Sequence, residues 1–222
     1  AVPLPVYEMR WLTCGKYCII SKRLFNEGSI GKLNYFFKRK NVDAYRKMMK
    51  SYDNSFVIHK LESVLPEKAS LLELGMGTGK DLELLAVKYD VLGSDHSNLF
   101  VEDFSKQHPE IPVITLDAVT VEVDRRFDCI YSNKVLQHLT RAQFVESLEN
   151  QYQHLNPDGI VLMTLWYGEY HEDSMFNGEL LFTYYTETDI REIAAPRFKI
   201  ELILRYAETE ANDSMLIVLR RK

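Results

Sequence analysis

The stretch that decides the fold reads Glu73-Leu74-Gly75-Met76-Gly77-Thr78-Gly79-Lys80-Asp81, between a short apolar run and a helix-length segment. Three glycines within five residues let the backbone turn sharply and approach a ligand closely. The helix that follows offers free N–H groups and a partial positive charge at its first turn. We interpret this stretch, called the glycine loop below, as a ligand-binding loop that joins a strand to a helix.

The spacing of the glycines disfavours two common phosphate-binding loops. A P-loop that ends in Gly79-Lys80 requires glycine at the position of Leu74 and Ser or Thr at the position of Asp81. A dinucleotide-binding fingerprint requires a third glycine where the chain has Lys80. What remains is the form Glu-x-Gly-x-Gly-x-Gly.

Short apolar runs alternate with helix-length segments on both sides of the glycine loop. The predicted strands are Ser70–Leu74, Asp90–Ser94, Pro112–Leu116, Phe127–Ser132, Gly159–Leu165, Lys199–Ala207 and Ser214–Arg221. The predicted helices are Lys80–Lys88, Asn98–His108, Arg141–Leu155 with Thr140 as its N-cap, and one opened by the capping box Thr186–Asp189. This alternation predicts a doubly wound α/β fold with a mostly parallel sheet and helices on both faces. The last two strands are joined by a short turn, which predicts an antiparallel hairpin.

Length and composition fit one globular domain with an extension. The chain has 222 residues, of which 46% are hydrophobic and 27% charged, so neither disorder nor low complexity is expected. The longest apolar runs, such as Ile160–Trp166, fall far below the ~18 residues of a membrane span. Because Glu8 and Arg10 interrupt any apolar leader, we expect no signal peptide, no membrane partner and a cytoplasmic location. The three cysteines are expected to be reduced, and the spacing of Cys14 and Cys18 does not indicate a metal site.

The net charge of −5 conceals two oppositely charged parts of the chain. Residues 1–60 carry twelve Lys and Arg against four Asp and Glu, or +8, and the remainder carries fifteen against twenty-eight, or −13. We predict that residues 1–66 form a basic helical extension or lid, and that residues 67–222 form the ligand-binding domain. Within the extension, short helices and loops are expected up to residue 35, followed by one or two basic amphipathic helices within Leu33–Lys50 and a further helix over about Ser55–Val64.

Together these features resemble the class I S-adenosylmethionine-dependent methyltransferases over about Ser70–Lys222. That family has an open, doubly wound, Rossmann-like sheet of seven strands that ends in an antiparallel hairpin. The resemblance implies S-adenosyl-L-methionine as the cofactor. It also implies methyl transfer to an oxygen or nitrogen atom of an acceptor, which we expect to be a small molecule.

The resemblance implies that the cofactor site lies at the carboxyl ends of the strands. Asp95 would accept hydrogen bonds from the ribose hydroxyls, because a carboxylate can accept two at once. Asp117 and Ala118 would lie near the adenine, and Asn133 would end a strand that faces the methyl-transfer site. The cofactor-binding residues implied in this way are Glu73, Gly75, Gly77, Gly79, Asp95, His96, Asp117, Ala118, Ser132 and Asn133.

The acceptor side is less defined by the sequence. His138 is the candidate general base, because a neutral imidazole accepts a proton near pH 7, although a structural histidine is an equal alternative. Tyr52, Trp166 and Tyr185 are candidate substrate-binding residues, with core or rim packing as the alternative for the aromatic side chains. We expect no metal ligand.

Two alternative functions stay open at this point. The motifs indicate cofactor binding and not turnover, so the chain could be a non-catalytic S-adenosylmethionine-binding partner subunit. The basic run Lys38-Arg39-Lys40 beside Phe36 would also suit a nucleic-acid-directed methyltransferase, a reading that the overall pI near 5.7 disfavours. Packing of the basic helices on the acidic body, or binding of an acidic small molecule, explains the same charge. The sequence leaves the oligomeric state open.

Overall fold

The computed structural model describes residues 12–14, 17–19 and 35–222 of the chain. Its strands are β1 Leu12–Cys14, β2 Tyr17–Ile19, β3 Ser70–Leu74, β4 Asp90–Asp95, β5 Val113–Thr115, β6 Phe127–Asn133, β7 Leu155–Trp166, β8 His171–Met175, β9 Leu180–Tyr184, β10 Phe198–Tyr206 and β11 Ser214–Arg221. Its helices are α1 Arg39–Met49, α2 Ser55–Glu62, α3 Lys80–Leu85, α4 Asn98–Gln107, α5 Arg141–Gln153 and α6 Glu187–Ala194. Short 3-10 turns lie at Tyr35–Phe37 and Leu136–His138.

Seven strands form one sheet in the order β10-β11-β7-β6-β3-β4-β5. The pairs β3–β4, β3–β6, β4–β5 and β6–β7 are parallel, whereas β11 runs antiparallel to both β7 and β10. The predicted doubly wound sheet with its antiparallel C-terminal hairpin is therefore confirmed. Each parallel strand ends at the same edge of the sheet, so the residues that follow β3, β4, β5 and β6 meet there.

Both faces of the sheet are buried, as the apolar strand sequences require. Along β3, Leu72 and Leu74 face one core, which also contains Phe144 of α5. Leu71, one residue before Leu72, faces a second core with Leu61 of α2 and Leu82 of α3. This alternation fixes the register of the strand, because a slip of one residue would exchange its two faces.

Two helices, α5 and α6, begin where local capping predicts. Thr140 and Gln143 form a reciprocal capping box at α5, and Thr186 and Asp189 form the predicted one at α6. Predicted and observed boundaries differ at α3, which ends at Leu85 and not at Lys88.

Two antiparallel pairs depart from the sequence prediction. Strands β1 and β2 pair within the segment for which short helices and loops were expected, so that expectation is wrong there. The hairpin β8–β9, between β7 and α6, was not predicted, because the first strand reads His171-Glu-Asp-Ser-Met and has little apolar character. Its turn contains Asn177-Gly178, both with positive φ, and this dipeptide is the signal that could have revealed it.

The predicted basic helices pack on the acidic body. Arg39 and Arg46 of α1 both form ion pairs with Asp103 of α4, the second at 2.6 Å. Lys38 pairs with Glu179 in the β8–β9 turn. The ring of Phe36 packs against Phe100 of α4. None of the helices in the described part of the chain combines the length and apolar character needed to cross a bilayer.

Replacement of Asp103 by Asn should loosen α1. Asp103 is only 17% exposed at its side chain and pairs with two guanidinium groups, so the amide removes the anion that they share and leaves Arg46 with Asp43 at 3.5 Å. We expect trypsin to cleave after Lys47 or Lys50 severalfold faster in the variant than in the wild-type protein, at unchanged secondary structure. Glu102→Gln is the matched control, since the Glu102 carboxylate accepts from Asn98, one turn earlier in the same helix, and forms no ion pair with α1 among the described contacts. Equal cleavage rates in the two variants would contradict this role of Asp103.

Candidate cofactor and acceptor site

The glycine loop has three positive backbone φ angles, +69° at Gly75, +54° at Gly77 and +83° at Gly79. The physical reasons for glycine differ between the three positions. A Cβ on Gly75 would come within 2.5 Å of Val135, and one on Gly79 within 2.1 Å of Phe104. At Gly77 the nearest atom would be 3.3 Å away, on the ring of Tyr45. Gly75 and Gly79 therefore leave no space for a Cβ, whereas one on Gly77 would meet the Tyr45 ring of α1 at a tight but less severe distance.

Asp95, at the end of β4, is bonded to the glycine loop. Its carboxylate accepts from the backbone N–H of Gly77 at 2.9 Å and from that of Ser97 at 2.8 Å. Burial raises the pKa of Asp95 to about 6, and the two backbone donors oppose that shift. The predicted neighbour His96 is exposed, with its ring against Phe37.

Glu73 lies in β3 directly before the loop and is 3% exposed. Its Oε2 atom has no hydrogen-bond partner. Burial, with the nearby carboxyl groups of Asp81 and Asp95, raises the pKa of Glu73 well above its ordinary value. A buried polar atom without a partner is costly, which marks this oxygen as a place for a ligand donor.

Asp81 is a site residue that the sequence reading missed. It is 5% exposed and accepts hydrogen bonds from the Tyr131 hydroxyl at 2.7 Å and the Asn133 amide at 2.9 Å, both on β6. The amide of Asn54, between α1 and α2, donates to its other oxygen. From the sequence, Asp81 indicated only that the loop does not fit a P-loop. An acidic residue on the inward face of a short helix was the available signal.

Helix α1 covers the glycine loop. Lys80 reaches back to its end and donates to the carbonyls of Met49, Lys50 and Tyr52 at 3.0, 3.2 and 2.7 Å. Tyr45 lies over Gly77. Burial is the main cause that raises the pKa of its hydroxyl, and the nearby carboxylates, of which Asp95 is the strongest, act in the same direction. The extension thus forms one wall of the site.

The other residues predicted to bind the cofactor lie at the same sheet edge. Asp117 follows β5 and accepts from the Val119 N–H at 2.8 Å, while the carbonyl of Ala118 accepts from Ser147 of α5 at 2.5 Å. Ser132 is buried in β6. These bonds hold the loop after β5 in a fixed turn beside Asp95, whose carbonyl accepts from the Leu116 N–H at 3.0 Å.

Two predicted substrate residues, Tyr52 and Trp166, meet at a buried ion pair. Lys134, which follows β6, contacts Glu208 at 2.8 Å, and its ammonium lies 3.5 Å from the centre of the Trp166 ring. The Tyr52 hydroxyl donates to the same Glu208. Burial lowers the pKa of Lys134 to about 8, against the opposing effect of Glu208. Neither Lys134 nor Glu208 was predicted from the sequence to belong to the site.

His138 lies in the turn after β6 and faces the β8–β9 hairpin. Its Nδ1 contacts the carbonyl of Leu181 at 2.7 Å, and because a carbonyl only accepts, Nδ1 carries the proton and Nε2 a lone pair. Burial lowers the pKa of His138 to about 4, and the charge of Lys134 acts in the same direction. The imidazole is therefore neutral over the physiological range.

Tyr185 lies elsewhere. It has no exposed surface and packs against Phe144 in the core, so the core alternative describes it better than the predicted contact with substrate. Within the described residues, no group of three or more His, Cys, Asp or Glu side chains is arranged to hold a metal ion.

The arrangement suits a ligand with a positive charge and hydroxyl groups. Glu73, Asp81 and Asp95 bring carboxyl groups together at one strand edge, and Glu73 keeps an oxygen without a donor. Gly77 presents its backbone without a side chain under Tyr45. The fold and this site define a Rossmann-like domain that binds a small ligand at the carboxyl ends of parallel strands.

Comparison with known proteins finds a family match within this domain. Residues 71–159 match the family described as "Methyltransferase domain". Malonyl-[acyl-carrier protein] O-methyltransferases of Priestia megaterium and Bacillus cereus are 26% and 29% identical over 130 and 136 residues, which is 56% of this chain in each case. The match covers 47% and 48% of their lengths, so the chain spans about half of each curated relative.

Solved structures of the same class share the fold. A 1,6-didemethyltoxoflavin-N1-methyltransferase of Burkholderia thailandensis superimposes with a TM-score of 0.67 at 17% identity, covering 82% of this chain and 86% of that one. A TehB-like SAM-dependent methyltransferase of Corynebacterium glutamicum also gives 0.67 at 17% identity, with 83% and 100% covered. The predicted resemblance is confirmed by the match of residues 71–159 to the methyltransferase-domain family and by the shared fold.

The packing of the glycine loop predicts unequal effects of added methyl groups. Gly79→Ala should lower the free energy of unfolding by about 3 kcal/mol, since positive φ and the contact with Phe104 both oppose a Cβ, and Gly77→Ala by about 1 kcal/mol. Denaturant unfolding measures both. Gly168→Ala is the control, because its Cβ would meet Tyr184 at an ordinary 3.5 Å. A smaller loss for Gly79→Ala than for Gly77→Ala would contradict the assigned packing.

Proposed function

We propose that this chain is an S-adenosyl-L-methionine-dependent methyltransferase that methylates an oxygen or nitrogen atom of a small-molecule acceptor. The observation that carries the proposal is the partnerless Oε2 of Glu73 within the group of buried carboxyls beside the glycine loop. A sulfonium cofactor with an ammonium group and a ribose diol supplies the positive charge and the donors that these carboxyls lack. Bound there, it would provide an activated methyl group.

The residues fit such a cofactor in stated roles. Asp95 has the position and acceptor atoms for the ribose hydroxyls, and Glu73 for the ammonium end. Gly77 lets the ligand lie against the backbone. Asp117 and Ala118 form the neighbouring turn expected to hold the adenine.

The chain's contribution to the reaction is alignment and exclusion of water, because an activated methyl group needs little further assistance. Helix α1 and the aromatic rings of Phe36, Tyr45 and Phe100 cover the loop. Tyr52 and Trp166 bound the opposite side, where we place the acceptor. Lys80 of the glycine loop holds this cover in place, because its ammonium donates to the carbonyl of Tyr52 just after α1.

His138 is proposed as the group that takes the acceptor proton. Its Nε2 has a free lone pair, and its position is fixed by the carbonyl of Leu181. A methylated hydroxyl oxygen that still holds its proton is an oxonium ion and a strong acid, so even a base whose pKa is lowered to about 4 can accept that proton.

The comparisons support this proposal at the level of reaction class. The relatives include O-methyltransferases, and the structural neighbours include an N-methyltransferase with bound 1,6-didemethyltoxoflavin and S-adenosylhomocysteine. Arg39, Arg46 and Lys38 are engaged by Asp103 and Glu179, which disfavours a nucleic-acid acceptor. A small-molecule acceptor is therefore the better proposal.

Titration calorimetry tests the cofactor site. We expect micromolar binding of S-adenosylhomocysteine, and at least about tenfold weaker binding by Asp95→Asn, because a charge-assisted hydrogen bond contributes about 1.5–3 kcal/mol. Affinity for the wild-type protein should rise between pH 5 and 7, since the diol pairs with the ionised form of Asp95, whose pKa is about 6. The Asp95→Asn variant should lose most of this pH dependence.

Asp90→Asn is the matched control for this titration. Asp90 begins the same strand that Asp95 ends, and its exposed carboxylate pairs with Arg125 at 2.9 Å, far from the glycine loop. Its affinity should equal that of the wild-type protein. Binding of NADH, without binding of S-adenosylmethionine or S-adenosylhomocysteine, would overturn the proposed cofactor.

His138→Ala tests turnover separately from binding. With a confirmed acceptor, we expect a loss of kcat of about 10²-fold or more, the usual contribution of a positioned base, while the dissociation constant for S-adenosylhomocysteine changes little. The kcat of the wild-type protein should show no histidine titration between pH 6 and 8. Unchanged kcat in the variant would dismiss the base role. Cofactor binding with no turnover on any small acceptor would favour the partner-subunit alternative.

A further inference from the structure

The ammonium group of Lys134 is enclosed by other side chains. Its Nζ lies 2.8 Å from Glu208, 2.7 Å from the Ser214 hydroxyl and 3.5 Å from the centre of the Trp166 ring. The Tyr206 ring is 5.8 Å away. The side chains of Lys134 and Glu208 are 12% and 10% exposed. An aromatic face, a second ring and a carboxylate around one nitrogen form the arrangement that binds ammonium ions.

Both charges are satisfied inside the chain. Two N–H bonds of the ammonium are used by Glu208 and Ser214, and the indole face of Trp166 receives the third side of the nitrogen. Glu208 also accepts from Tyr52, from Tyr206 at 3.3 Å and from Ser214 at 3.1 Å. Neither group has a free position for a ligand ion.

The ion pair adjoins the proposed reaction site. The backbone N–H of Lys134 donates to Thr164 at 2.9 Å, and Thr164 donates to Asn133 at 2.6 Å. The amide of Asn133 donates to Asp81, beside the glycine loop. Lys134 has a φ of +58°, unusual for a side chain of this size, so the backbone bears strain where it turns the ammonium inward.

We propose that Trp166, Tyr206, Ser214 and Glu208 form a cation-binding cage that Lys134 fills with its own ammonium, and that Lys134 thereby selects neutral or anionic acceptors over cationic amines. The proposal rests on the proposed function, because it assigns this cage to the acceptor side of the methyl-transfer site. A second cation would find the carboxylate and the aromatic face already engaged by Lys134, and so would gain no compensating charge for its own desolvation.

Lys134→Ala empties the cage, and n-propylammonium is the probe that replaces the lost side chain. We expect n-propylammonium to raise the Tm of Lys134→Ala in a saturable manner, with at least tenfold higher affinity than for the wild-type protein. Neutral n-propanol should not do so. Lys134→Ala with Glu208→Gln is the matched control, with the same space but no carboxylate, and it should lose this affinity.

The outcomes separate this proposal from the proposed function. Binding of S-adenosylhomocysteine to Lys134→Ala is measured in parallel, and it reports the cofactor site alone. If Lys134→Ala does not fold by itself, the cage requires that n-propylammonium restore its melting transition and that n-propanol fail to do so. The proposal is overturned if the wild-type protein binds n-propylammonium as well as the variant does, or if neither the stability nor the folding of the variant responds to it.

Discussion

The structure depends most on the buried carboxyl group of Asp81. One group of atoms joins three parts of the chain that are far apart in sequence, because it accepts from Tyr131 and Asn133 on β6 and from Asn54 before α2. Such a group is costly to bury unless its acceptor positions are filled. The requirement therefore keeps the end of β6, the start of α3 and the N-terminal helices in one arrangement.

The neighbouring Lys80 extends the same constraint to helix α1, which covers the glycine loop. Its ammonium binds carbonyls at and beyond the end of α1, where the helix leaves them without intrahelical partners. Lys80 and Asp81, the last two residues of the glycine loop, thus hold both the end of β6 on one side of the site and the end of α1 on the other. This explains why the extension, whose described residues supply no strand to the main sheet, still packs on the glycine loop.

Local sequence pattern was sufficient for the main sheet, the N-cap of α5, the capping box of α6 and the glycine-rich turn from strand to helix, since each depends on residues close together in the chain. It could not supply the pairings that build the site. Tyr52 and Glu208 are separated by 156 positions, and Lys134 and Ser214 by 80, so no spacing rule relates them. The same limit explains Tyr185, whose aromatic character suits a substrate wall and a core equally, and which the fold places against Phe144. Nor could spacing separate Gly79, needed for packing, from Gly77.

The two sides of the site differ in electrostatic balance, and this difference connects the charge split of the sequence with the chemistry. Beside the glycine loop, burial and mutual repulsion hold the pKa of Glu73 high, so this side is stabilised by any ligand that brings positive charge. On the other side, Lys134 already neutralises Glu208. Two cations held next to each other would repel strongly in a site with little water. A cationic donor facing a wall that is internally neutral avoids that repulsion, and it leaves the second ligand position to a molecule without positive charge.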